Sequence, residues 1–208
     1  LKILSYLLEN RQVGEKHALD YFIEDEKIID TMVLADMKLA AETPTDAILF
    51  NIDSKSDSNG KRNKDTIVSV FLKVFNEMQG FCGSMPYLAD LERRLTEEGC
   101  FEEFKHTFEE EYGDAWEDSR QDFDFIQDTV VAVLADMGFM SEDAARNWCE
   151  KATTEYQISI EDFARRVHTY IEQKGKNHHV VFLVDEIGQY IGDDSKLMLN
   201  LQTVTEEL

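Results

Sequence analysis

The sequence is short of proline, of paired cysteines, of long apolar runs and of basic residues, and each shortage removes a class of protein. Only two prolines, Pro44 and Pro86, interrupt 208 residues. Proline breaks helix interiors, so its rarity permits long helices and predicts a mostly helical chain. The three cysteines, Cys82, Cys100 and Cys149, are odd in number and far apart, with no C-x-x-C pair. That pattern fits neither a disulfide framework nor a structural zinc site, and is the usage expected of a reducing cytoplasm. No apolar run approaches the roughly 18 residues needed to span a bilayer, so no membrane contact is expected. Against 43 acidic residues stand 21 basic ones, a net charge of −22. Such a charge repels a polyphosphate backbone and makes this segment a poor candidate for a main nucleic-acid contact.

What is present suffices for a folded core, since 43% of residues are hydrophobic and 11% aromatic. The opening LKILSYLLEN has no initiator Met, charged leader or cleavage site. With Leu1, Leu4 and Leu8 at helical spacing, it reads as a helix entered without its cap. The chain is therefore expected to be an internal piece of something longer. A second helix is expected from Glu15 to Ala41, stopped by Pro44. The apolar run AILFNID, 47–53, predicts a buried strand, and SKSDSNGKRN after it an exposed turn. Ile67, Phe71, Val74, Phe75 and Met78 then mark the inward face of a covering helix.

From 84 to 156 the composition shifts, with 20 acidic residues against 6 basic. Ile126, Val130, Val133, Leu134 and Met137 predict a helix there, Gly138 its stop and Ser141 the next N-cap, and no strand is signalled. Ser159 and Asp162 read as a capping box for a helix ending near Gly175. The run HVVFLVDE, 179–186, then predicts an interior parallel strand covered on both faces. Leu197, Leu201, Val204 and Leu208 close the chain in another helix. Two parallel strands predict an α/β core, 1–83 and 157–208, with 84–156 as a large acidic all-α insertion between the core strands.

A strand leading straight into Asp185 and Glu186 puts two carboxylates at the carboxyl edge of a parallel sheet, where open α/β folds bind ligands. A first carboxylate there suits a Mg²⁺ ion held through water, and a second, one residue on, suits a water-activating base. Asp-Glu alone has a plainer reading as a solvated strand end. The phosphate-cradling signature G-x-x-x-x-G-K-[ST] is absent from all 208 residues. The chain order predicts that such a loop would lie just before Leu1.

Four strings, FLVDEIGQYIGDDSKLMLNLQTVTEEL (182–208), ILFNIDSKSD (48–57), VFNEMQG (74–80) and ISIEDFARRV (158–167), resemble the BrxC (PglY-like) family. These are large P-loop ATPases of BREX bacteriophage-exclusion systems. The resemblance spans nearly the whole chain and implies an AAA-like ATPase core that uses ATP and Mg²⁺ in the cytoplasm. It implies a much larger, oligomeric parent that acts with a methyltransferase and a PglZ-like protein, its DNA contact lying outside the acidic segment. It makes Asp185 the metal-holding and Glu186 the catalytic member of a Walker B pair. Asp53, Lys55 and Asn51, on the same sheet edge, and Gln189 and Asn200, after the acidic pair, are weaker nucleotide-binding candidates; loop capping is the plainer role for Asp53, Lys55 and Asn51. Without a phosphate loop the piece alone is expected to be inactive. The alternative expectation is a nucleotide-gated scaffold whose acidic insertion docks protein partners.

Two features invite a sharper reading than they support. His178 and His179 precede the second strand, at the end opposite the carboxylates, and read as solvated or hydrogen-bonded imidazoles. Trp116 and Trp148, with Phe101, Phe104, Phe108, Phe123 and Phe125, sit among carboxylates and read as helical core, not as a base-stacking platform.

Overall fold

In a computed structural model, residues 1–24, 27–55 and 66–208 are described. Most of the polar turn expected after the first strand, 56–63, lies outside them. The chain opens with α1 (Lys2–Leu8), the strands β1 (Gln12–Val13) and β2 (Lys16–His17), α2 (Asp20–Ile23) and α3 (Thr31–Glu42). It continues through β3 (Thr45–Asn51), α4 (Ile52–Lys55), α5 (Thr66–Met78), α6 (Pro86–Glu97), α7 (Phe101–Tyr112) and α8 (Trp116–Ser119). A 3-10 turn, Arg120–Asp122, leads into α9 (Phe123–Asp136), then α10 (Glu142–Glu155) and α11 (Ile160–Lys174). Last come β4 (His179–Asp185), α12 (Ile187–Ile191) and α13 (Ser195–Glu207). The fold is mostly helical with a small parallel sheet, a mixed α/β arrangement. No described helix is long and apolar enough to cross a membrane.

The single helix expected from Glu15 to Ala41 does not form. Gln12 pairs with His17 and Val13 with Lys16 in an antiparallel hairpin, turned by Gly14 at φ +67, a left-handed value that glycine adopts without a Cβ clash. Farther on, the Asp30 carboxylate accepts from the backbone N–H of Met32 at 2.8 Å and of Val33 at 3.1 Å. That cap starts α3 afresh. The first strand also ends sooner than expected, because Ile52 and Asp53 already belong to α4.

The chain divides into two compact units, 1–71 with 159–208, and 72–158. In the first, β3 and β4 run parallel in register from Thr45 opposite His179 to Asn51 opposite Asp185. Ile48 and Phe50 are buried while Leu49 between them is exposed, the two-residue alternation of a strand with one covered face. β4 is not the doubly covered strand its unbroken apolar run implies: Leu183 is its one buried residue, and β3 is its one ladder partner among the described residues. Phe71 of α5 packs edge-on to Phe50 at 5.4 Å and against Phe182 at 5.1 Å, and Phe163 of α11 lies 6.1 Å from Phe182. Such ring pairs contribute about 0.5–1.5 kcal/mol each beyond the area they bury. Ser159 caps α11 by accepting from the Asp162 N–H at 3.0 Å, and Gly175 closes it at φ +114.

The second unit is all helical and contains the acidic segment. Leu88, Leu95, Phe104, Phe108, Trp116, Phe123, Val130 and Leu134 are fully buried at its centre. The Trp116 ring is edge-on to Phe104 at 5.0 Å and to Phe108 at 5.2 Å. Among the phenylalanines and tryptophans of this unit Phe125 is the exception, 88% exposed. Within this core Glu92, wholly buried, accepts from Cys82 N–H at 2.6 Å, Trp116 Nε1 at 2.7 Å and Arg120 Nη1 at 2.7 Å. A buried carboxylate is tolerated only with such a full set of donors.

Candidate functional site

The carboxyl ends of β3 and β4 lie side by side because their register is unbroken to the last pair, Asn51 and Asp185. Both residues are therefore delivered to one sheet edge by strand pairing alone. Beyond it the chain turns sharply on each strand. Asn51 caps α4, its Oδ1 accepting from Ser54 N–H at 3.1 Å while the Ser54 hydroxyl donates to the Asn51 carbonyl at 3.0 Å. On the other strand Glu186 sits at φ +60, ψ +17, a left-handed conformation, and forms the N-cap of α12.

A left-handed backbone is uncommon for a glutamate and costs about 1–2 kcal/mol relative to ordinary conformations. What holds it is on both sides. The Asp185 carboxylate accepts from the Glu186 N–H at 3.0 Å. The Glu186 carbonyl accepts from Gln189 and Tyr190, each at 3.1 Å, starting α12. Tyr190 and Ile191, 3% exposed each, anchor that helix, and Gly192 ends it at φ +52, ψ −128, a region open to glycine and little else. Asp185, Glu186, Gln189, Tyr190, Ile191 and Gly192 thus each have a local reason in the turn.

The Asn51 amide Nδ2 donates to Glu186 Oε2, across the strand ends. The structure thus brings Asn51, Asp185 and Glu186 together. Asp185 and Glu186 are exposed and Asn51 is half-buried. Asp53 and Lys55 follow within one turn on α4, a helix that contacts α12. Gln189 is exposed on α12, and Asn200 is half-buried on α13. Asn51 is the residue whose role sequence reasoning undervalued: as a strand-end asparagine it carries no signal of the carboxylate it meets.

All oxygen donors at this edge are hard ligands. Among the described residues no group of three or more His, Cys, Asp or Glu is placed to hold a metal ion. One or two carboxylates without an all-protein cage match the way Mg²⁺ is bound, with water and substrate phosphates completing its shell. Asp185 is a hard oxygen ligand of the kind Mg²⁺ takes.

At the opposite end of the sheet His178 is hydrogen-bonded, its Nε2 lying 2.8 Å from Asp46 Oδ2, which also accepts from the Tyr170 hydroxyl at 2.6 Å. Burial opposes ionisation of Asp46, but these two bonds, with the charges of His178 and Lys174, outweigh it and hold the carboxyl below its ordinary value. Burial, and then the bond to Asp46, raise the Tyr170 phenol. This cluster ties α11 to both strands, far from the carboxylate edge. Compared with known proteins, no family model matches the chain, and no solved structure matches it significantly.

Proposed function

We propose that this chain supplies the metal-holding and water-activating half of an ATP-hydrolysing site, in a P-loop protein of the BREX phage-defence type. The observation that carries the reading is the carboxylate pair at the carboxyl end of a parallel strand, with Glu186 held in a left-handed turn and hydrogen-bonded by Asn51. Non-glycine residues are kept in such conformations where the surrounding structure over-determines them, commonly at functional sites. The sequence resemblance around DEIGQYIG supplies the family.

In this reading Asp185 would hold Mg²⁺ through water, and the ion would supply charge neutralisation to a bound nucleotide. Glu186 would orient the attacking water, in line with the leaving group, and take its proton. Asn51 fixes the Glu186 carboxylate through one oxygen, leaving the proton to the other. The reading requires a phosphate-binding loop that is not among these 208 residues. In the protein that also carries it, turnover would drive assembly or remodelling of a DNA-modifying complex that includes a methyltransferase and a PglZ-like protein.

The test is the Mg²⁺ dependence of ATP turnover in the loop-containing protein. Asp185→Asn is expected to raise the Mg²⁺ concentration for half-maximal rate by about 10- to 100-fold. An unchanged Mg²⁺ dependence would overturn the assignment of Asp185.

A further inference from the structure

We propose that the pocket of the second unit walled by Tyr87, Trp148 and Tyr156 receives the cationic side chain, lysine or arginine, of a basic protein partner. The pocket has a volume of about 350 Å³, the lower end of the roughly 300–1,000 Å³ usual for ligand sites. That size suits one side chain better than a nucleotide. Its three aromatic residues, each half-buried, are held by their neighbours. Tyr87 lies 5.5 Å from the fully buried Phe123 and 6.5 Å from Tyr156, and Trp148 is edge-on to Phe123 at 6.0 Å. The Tyr156 hydroxyl donates to Asp90 Oδ2 at 3.1 Å, and Asp90 Oδ1 accepts from Arg93 at 2.9 Å. The cup is thus built before any partner arrives.

Aromatic faces carry negative electrostatic potential and attract ammonium and guanidinium groups, and this attraction grows as the cation is desolvated. Two carboxylates, Asp90 and Glu155, line the same pocket, and Lys151 is the one basic group lining it. Lys151 and Glu155 stand four residues apart on α10, where opposite charges attract, and Asp90 is paired with Arg93, so the negative field comes from the acidic segment around the pocket. Around it, 84–156 has 20 acidic residues against 6 basic, a field that draws a basic polypeptide in and excludes acidic ones. The aromatic cup sets where a cation docks, and the surrounding charge sets which class of partner comes near. None of this depends on the nucleotide chemistry proposed for the first unit.

The experiment titrates the 208-residue chain by calorimetry with a short peptide of alternating lysine and glycine, and with the same peptide acetylated on every lysine side chain. The lysine peptide is expected to bind and the acetylated one not. Trp148→Leu, which leaves net charge unchanged, is expected to weaken binding by about fivefold or more, the scale of a partly desolvated cation–aromatic contact. Should Trp148→Leu fail to fold, a matched pair of surface changes decides the matter: Glu155→Lys in the pocket and Glu103→Lys on α7, both exposed. Glu155→Lys is expected to weaken binding at least about fivefold more than Glu103→Lys. Equal losses for the two, or no binding of the lysine peptide, would overturn the proposal and leave only diffuse charge attraction. ATP turnover is read separately, in the protein that carries the phosphate-binding loop, so either reading can fail alone.

Discussion

Asn51 and Glu186, 135 residues apart in the chain, are joined by a hydrogen bond from the asparagine amide to the glutamate carboxylate. The parallel register of β3 and β4 makes the meeting possible, since Asn51 stands opposite Asp185, one residue before Glu186. One side chain therefore does two things: Oδ1 starts α4 and Nδ2 fixes the proposed base.

Replacing that asparagine separates the two roles. Asn51→Ala is expected to cost about 1 kcal/mol of stability, the usual loss for a helix cap, measured by urea unfolding. In the loop-containing protein it is expected to lower kcat about tenfold with little change in KM, as loss of a positioning contact does. Asn51→Asp sets a like charge beside Glu186 and is expected to move the acidic limb of the pH–rate profile upward. A profile that does not move would assign Asn51 a purely structural part.

The two strands were legible because their apolar runs are short and bounded by turn formers. Ser141, Ser159 and Gly175 were legible because a cap is a local event in sequence. The hairpin at 12–17 was not, since two-residue strands leave no alternation to read: Val13 is the one apolar residue from Glu9 to His17, and Gly14 marks the turn. The acidic pair could be placed on a strand end from sequence. Its tie to Asn51 could not, because contacts between residues so far apart leave no local pattern. Glu92 shows a related limit: its spacing from Leu88 and Leu95 puts it on the apolar face of α6, but nothing local tells that Trp116 and Arg120 meet it.

Glu92 gives a stability test within the second unit. Glu92→Ala leaves the Cys82, Trp116 and Arg120 donors buried without their acceptor, and is expected to destabilise the chain by about 3–5 kcal/mol in urea unfolding followed by tryptophan fluorescence. Replacing Arg120 by Met in the same chain is expected to recover about 1 kcal/mol or more, because the stranded charge is gone. A loss under about 1 kcal/mol for Glu92→Ala would show that the hub carries no weight.

The Asp46 cluster sets a pH dependence. Its carboxyl lies below the ordinary value of 3.8 in the folded chain, so the folded state binds this proton more weakly than the unfolded one. The resulting stability is complete above the unfolded value and is lost as pH falls through the folded value. Tyr170→Phe removes the hydrogen bond at 2.6 Å and is expected to cost about 1 kcal/mol at neutral pH, the partly exposed site limiting the gain. The difference from the parent chain should narrow below about pH 4. A difference that stays constant through acid would mean that Tyr170 acts by packing alone.

The role of Glu186 as the base is decided by measuring ATP binding and single-site turnover of Glu186→Gln in the protein that carries the phosphate-binding loop. Glutamine preserves the size of the side chain and a hydrogen-bonding oxygen for Asn51 but cannot take a proton. Nucleotide affinity is expected to stay within about twofold of the parent and turnover to fall by about 100-fold or more. Turnover equal to the parent would contradict that role.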